Sequence, residues 1–211
     1  MPKFAANLSM QFTEVDFLDR FKAAAKAGFK GVEYLFPYAY AKNDLTDRLA
    51  ENGLEQVLFN MPPGDWGKGE RGLACLPGRV GEFQEAVGLA IDYAKALKCP
   101  RLHAMAGIRP EGGAGETVHA TYVANLKFAA AETAKAGIML VIEAINFRDM
   151  PGFYLNYSKQ AFDIMAEVGA SNLKFQYDIY HMQRMEGELA ATIKANIDAI
   201  GHMQLADNPG R

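Results

Sequence analysis

The chain has 211 residues, enough for one sizeable α/β domain and too few for two. Half of it is hydrophobic and 22% is charged, and a net charge of -3 with scattered basic residues gives no electrostatic case for nucleic acid or an anionic membrane. No run approaches the roughly 18 apolar residues of a membrane span. The N-terminus lacks a signal-peptide core, and Cys75 and Cys99 lie far apart without ligand-like spacing, which predicts a soluble, cytoplasmic protein with reduced thiols.

Phe4 to Asn7 reads as a short strand, followed by a helix from about Thr13 whose stripe is Phe17, Leu18, Phe21, Ala24 and Ala25. Gly31 to Phe36 is a second strand, stopped by Pro37. A helix with Leu45 and Leu49 inward ends at Asn52-Gly53, and Leu54 to Phe59 is a third strand. Asn60 to Pro77 is an unusually long connection with Pro62-Pro63 and Trp66, and a connection of that length in a compact domain is usually functional, as a lid or binding loop. A helix with Phe83, Val87, Ala90, Ile91, Ala94 and Leu97 on one face leads to a strand from Arg101 to Met105. A glycine-rich loop, Pro110 to Gly115, precedes a helix with Tyr122, Leu126, Ala129 and Ala130 inward.

Ile138 to Asn146 is the most telling stretch. Five consecutive apolar residues run into Glu143, the pattern of a strand buried on both faces that ends in a carboxylate. After a helix around Phe162 and Met165, Leu173 to Asp178 repeats that form. A last helix with Leu189, Ile193, Ile197 and Ile200 at helical spacing leads to a seventh strand at His202 to Asp207. Strict alternation of strands and helices predicts parallel strands with right-handed crossovers, and seven repeats favour an α/β (β/α)8 TIM barrel over a doubly wound sheet. Gly67 to Gly72 matches G-x-G-x-x-G letter for letter. Pro62-Pro63 separates it from the preceding strand and loop follows it, so a dinucleotide site is not expected there.

The alternation stops after the seventh strand, so the sequence reads as a barrel truncated after strand seven. An unclosed sheet of that kind would present unpaired strand edges, which favours association into a homo-oligomer.

In a parallel barrel, chemistry gathers at the C-terminal strand ends. Glu143, Asp178 and Gln204 end the fifth, sixth and seventh strands, and two carboxylates with an amide oxygen are hard ligands suited to Mg2+ or Mn2+. His181, three residues after Asp178, is placed to hydrogen-bond a substrate oxygen or to support a ligand. His103 faces either the barrel interior or the helices, and it and Asn7, at the end of the first strand, are candidates for substrate contact. Glu33, within the second strand, would need a partner if it points inward. No G-x-S-x-G elbow is present and neither cysteine has a nucleophile context, which leaves metal-assisted proton transfer.

Phe4-Ala-Ala-Asn-Leu-Ser-Met10, Val32-Glu-Tyr-Leu-Phe-Pro37, Asn60 with Pro63-Gly-Asp65, Leu76-Pro-Gly-Arg79, His103-Ala-Met-Ala-Gly107, Ile142-Glu143-Ala144 and His202-Met-Gln204 together resemble the hydroxypyruvate isomerase family of xylose-isomerase-like barrels. The resemblance covers essentially all of residues 1–211 as one such domain. It implies an intramolecular isomerase that takes a small oxo-acid substrate and interconverts hydroxypyruvate and tartronate semialdehyde through an enediol. The similar 2-oxo-tetronate isomerases and ketose 3-epimerases are the alternatives. It further implies that Glu143 is both metal ligand and proton donor/acceptor, that Asp178 and Gln204 are ligands, and that His181 faces substrate. Arg211 or a residue of the long loop would then bind the substrate carboxylate. The family's second proton-transfer glutamate belongs on strand eight, for which this sequence offers no residue, so a catalytically inactive truncated barrel is a further alternative.

Overall fold

The computed structural model describes residues 2–208 and Gly210. Seven strands form one sheet: β1 (Ala5–Asn7), β2 (Gly31–Tyr34), β3 (Glu55–Asn60), β4 (Arg101–His103), β5 (Met139–Glu143), β6 (Leu173–Asp178) and β7 (Ile200–Gln204). Every neighbouring pair is parallel and the spatial order is the sequence order. The helices are α1 (Phe17–Lys26), α2 (Lys42–Asn52), α3 (Val80–Leu97), α4 (Gly115–Lys135), α5 (Ser158–Val168), α6 (Ile179–Met185) and α7 (Leu189–Asn196). None among the described residues is long and apolar enough to cross a membrane.

Parallel neighbours require a crossover, and crossovers of one hand put the helices outside the sheet. Leu140, Val141 and Ile142 are therefore all fully buried, one face of β5 against helices and the other in the interior. Phe83, Ala86, Val87, Ala90, Ala94 and Leu97 make the buried stripe of α3 that covers the sheet. The sheet curls strongly enough for β7 to reach β2. His202 Nε2 and Gln204 Nε2 lie 2.7 and 2.5 Å from the Glu33 carboxylate, and toward the N-terminal strand ends Arg101 Nε donates to the Gly201 carbonyl at 3.0 Å. The architecture is that of the TIM barrel, seven strands of it.

β2 and β4 stop two residues earlier than the sequence reading has them, and β7 runs Ile200–Gln204 rather than His202 to Asp207; three further differences have a local cause. α1 begins at Phe17 rather than near Thr13, because residues 8–15 form turns in which Phe12 takes a left-handed φ of 59°. The apolar spacing through Ile197 and Ile200 does not continue one helix. α7 stops at Asn196, a 3-10 turn spans Ile197–Ala199, and Ile200 opens β7 opposite Phe175. The third difference is α6, a short helix that starts directly after β6. Asp178 creates it, accepting the Tyr180 N–H at 2.8 Å as an N-cap. Seven residues are too few to show a helical stripe in sequence.

The long connection between β3 and α3 is tied down rather than loose. Gly72 N donates to Pro63 O at 2.9 Å and Cys75 N to Ala106 O at 2.8 Å. Gly72 and Gly107 have φ of 123° and 103°, and they approach so closely that a Cβ on Gly72 would lie 2.4 Å from Met105 O. Only glycine fits that contact.

Candidate active site

The C-terminal half of the barrel interior carries a polar side chain from every strand. Asn7 Nδ2 donates to Glu33 Oε1 at 3.1 Å, so β1 supports β2. Gln204 on β7 donates to the same oxygen, and its own Oε1 accepts from Gln176 Nε2 of β6 at 2.8 Å. Gln176 Nε2 also donates to Glu143 Oε2 of β5 at 2.9 Å. His103 Nδ1 of β4 lies 3.7 Å from that oxygen and 3.0 Å from Asn60 Oδ1 of β3. These contacts run from strand to strand around the interior, and Glu33, Asn60, His103, Glu143 and Gln176 are all buried. Paired register explains part of it: Asn7 sits beside Glu33, Asn60 beside His103, Glu143 beside Gln176 and Asp178 beside Gln204.

Glu143, Asp178 and His181 form the focus of this interior. One potential ligand atom from each lies within 4.8 Å of the others, and all three residues are buried. His181 Nε2 is 3.7 Å from Glu143 Oε1 and 3.6 Å from Asp178 Oδ2. Local structure dictates the arrangement. Glu143 is the last residue of β5, while Asp178 uses Oδ1 to cap α6 and so turns Oδ2 toward the first turn, where His181 sits. Two carboxylates held that close and out of water repel unless a cation or a proton offsets them. Oxygen donors of this kind suit a hard divalent cation, so the residues present fit one.

The remaining sequence candidates divide clearly. His103 points into the interior and not toward the helices. Burial, with the His202 charge adding to it, pulls its pKa down to about 3, so it is neutral. With Nδ1 facing the Asn60 oxygen, the proton belongs on Nδ1 and Nε2 is left an acceptor without a hydrogen-bond partner among the described residues. Asn7 stands beside Glu33, and its Oδ1 is engaged by Ser9 N at 3.0 Å. Gln204 is linked to the Glu143 cluster through Gln176. Arg211 lies outside the described residues. Glu33 has the partners that an inward carboxylate requires: Asn7, His202 and Gln204.

Sequence reasoning missed Gln176, Asn60 and Asn146. Gln176 could have been found, since it precedes Asp178 by two positions and so shares its strand face. Asn60 ends β3 as Glu143 ends β5. Asn146, beyond the end of β5, had no periodic signal. In the long loop, Trp66 packs against Phe36 with ring centroids 5.1 Å apart, and the Arg71 guanidinium lies 4.0 Å over its ring. Phe36 follows the C-terminal end of β2, so Trp66 stands at the same rim as the polar interior.

Comparison with known proteins fits this geometry. The model of the xylose isomerase-like TIM barrel family matches residues 21–211. Hydroxypyruvate isomerase of Escherichia coli is 53% identical over 211 residues, which is 100% of this chain and 82% of that protein. A 2-oxo-tetronate isomerase of Cupriavidus necator is 51% identical, again over the whole chain and 81% of the relative. A crystal structure described as AP endonuclease, family 2, from Brucella melitensis superposes with a TM-score of 0.98 at 45% identity, covering 100% of this chain and 81% of that one. The chain belongs to the xylose isomerase-like TIM barrel family.

Proposed function

We propose that this protein is an isomerase that interconverts hydroxypyruvate and tartronate semialdehyde by proton transfer between adjacent carbons. The observation that carries the reading is the buried Glu143–Asp178–His181 cluster at the C-terminal strand ends. Relatives above 50% identity named as oxo-acid isomerases support it. The endonuclease description of the Brucella structure is not carried over, because a net charge of -3 gives no drive toward a phosphate backbone.

The two compounds differ in which carbon bears the carbonyl. Glu143 takes a proton from C3 of hydroxypyruvate, and the C–H electrons form the C2–C3 double bond of an enediol. Return of a proton to C2, with the hydroxyl proton passing from O3 to O2, leaves the aldehyde at C3. A positioned carboxylate contributes roughly 10²–10⁴-fold to such a step. His181 donates a hydrogen bond to a substrate oxygen, and the unpartnered His103 Nε2 is an acceptor for a substrate hydroxyl. A divalent cation, Mg2+ or Mn2+, held by Glu143, Asp178 and the Gln204 amide oxygen would supply Lewis-acid polarisation of the carbonyl and hydroxyl oxygens. Gln176 serves this set by donating to both Glu143 and Gln204, which keeps their oxygens near one another. Two buried free thiols fit a reducing, cytoplasmic setting.

The similar identity of the 2-oxo-tetronate isomerase gives a second reading, the same reaction on a four-carbon oxo acid. Turnover of hydroxypyruvate and a 2-oxo-tetronate, each with Mg2+ or Mn2+, separates them. Higher kcat/KM for hydroxypyruvate is expected. Preference for the four-carbon acid would transfer the assignment, and no isomerisation of either would overturn it.

A further inference from the structure

Beyond β5 the chain turns at Asn146, whose side chain is buried and makes three polar contacts. Its Oδ1 accepts the Asp149 backbone N–H at 2.9 Å, and its Nδ2 donates to Asp149 Oδ2 at 3.0 Å. Those two partners fix which end of the amide is which, because a backbone N–H needs the oxygen and a carboxylate needs the NH2. The same Nδ2 lies 2.7 Å from His181 Nδ1, and the Asn146 backbone N–H points at that nitrogen from 3.4 Å. Two donors converge on one ring nitrogen, so His181 Nδ1 is an acceptor and, in the neutral ring, the proton must sit on Nε2. Nε2 is the nitrogen that faces Glu143 and Asp178.

Asp149 is held in its turn. Tyr180 OH donates to Oδ2 at 2.7 Å, Arg184 Nη1 lies 3.0 Å from Oδ1, and Arg184 also donates to the Tyr180 oxygen at 2.6 Å. Burial by itself would raise the Asp149 carboxyl, but hydrogen bonds from Asn146 and Tyr180 and the Arg184 charge outweigh it and hold the group below its ordinary value. Tyr180 and Arg184 lie one turn apart on α6, the helix that also carries His181, so the loop after β5 and the helix after β6 brace each other.

We propose that Asn146, anchored by Asp149, Tyr180 and Arg184, is a positioning residue that locks His181 with its proton on Nε2, making His181 a hydrogen-bond donor to the oxo-acid substrate and not a metal ligand. The assignment rests on the isomerase reading for the substrate alone; the tautomer follows from the contacts. An imidazole nitrogen that carries a proton has no lone pair for a cation, so the hard ligands are left to the oxygen donors around it.

The test is nitrogen NMR on protein labelled at its histidines, with the His181 signals identified by their loss in His181→Gln. The expected spectrum shows a protonated Nε2 and an unprotonated Nδ1 in the resting protein, and Asn146→Asp, which sets an acceptor against Nδ1, moves the proton to Nδ1. Asn146→Ala is expected to lower kcat/KM about tenfold and to leave Mn2+ affinity unchanged. If Asn146→Asp fails to fold, Tyr180→Phe, which removes one of the Asp149 bonds, is read in its place for a partial loss of the Nε2–H form. A wild-type Nδ1–H tautomer, or Mn2+ affinity that falls with His181→Gln, would overturn the proposal. Absence of turnover with the expected tautomer in place would instead refute the isomerase reading and leave the positioning role standing.

Discussion

Two buried glutamates inside the same barrel have opposite surroundings. Glu33 is 5% exposed and Glu143 is 6% exposed, and both project from parallel strands into the interior. Glu33 is met by donors from two other strands: Asn7 of β1, and His202 and Gln204 of β7. Its charge is matched by hydrogen bonds, and its effect is to hold β7 against β2. Glu143 accepts from Gln176 but shares its surroundings with the Asp178 carboxylate, whose oxygen lies within 4.8 Å. Burial of a charge is tolerated when partners match it and becomes a functional tension when a like charge is placed beside it. Depth alone does not distinguish these two carboxylates; the sign of the neighbours does, and it is the basis for proposing Glu143 rather than Glu33 as the proton acceptor.

The largest expected effect comes from Glu143→Gln, which keeps the shape and removes the proton acceptor. kcat should fall about 10³-fold while the melting temperature stays within about 3 °C of the parent. A large loss of stability would place Glu143 with Glu33 as a structural group. Asp178→Asn should keep the α6 cap, since asparagine caps as well as aspartate. Mn2+ affinity measured by calorimetry should nevertheless drop at least about tenfold. Equal affinities would remove Asp178 from the ligand set.

Glu33→Gln should show the inverse profile. Its new NH2 would face groups that already donate, costing about 2 kcal/mol and lowering the melting temperature by about 5 °C. Any activity loss would be secondary, through the orientation of Gln204. A thermally neutral Glu33→Gln would undo the contrast. The smallest effect concerns Cys75 and Cys99, where burial pushes both thiols up to about 12. Neither should react with a thiol reagent at pH 8 in the folded protein, since the thiolate is the reactive form. Both should react after denaturation.

The strands were legible because parallel strands buried on both faces are continuous apolar runs, as Leu140 to Ile142 shows. Glu143, Asp178 and Gln204 stood out because they interrupt or end such runs. Asn146 was not legible. Its role depends on a contact with His181, 35 positions away, and on an amide orientation that only Asp149 fixes. The extra helix α6 escaped for a similar reason, since a side-chain cap, and no periodic pattern, starts it. Periodicity sees faces; it does not see partners across the barrel.

Removal of the C3 proton of a small oxo acid by Glu143 is the step on which the proposed isomerisation depends. Proton NMR of hydroxypyruvate in D2O with Mg2+ or Mn2+ tests it directly, because loss of the C3 hydrogens to solvent or to product reports that step alone. Loss of the C3 signal is expected well above the protein-free rate with the wild-type chain and at the protein-free rate with Glu143→Gln. C3 hydrogens that persist with the wild-type chain, or that vanish equally fast with Glu143→Gln, would contradict it.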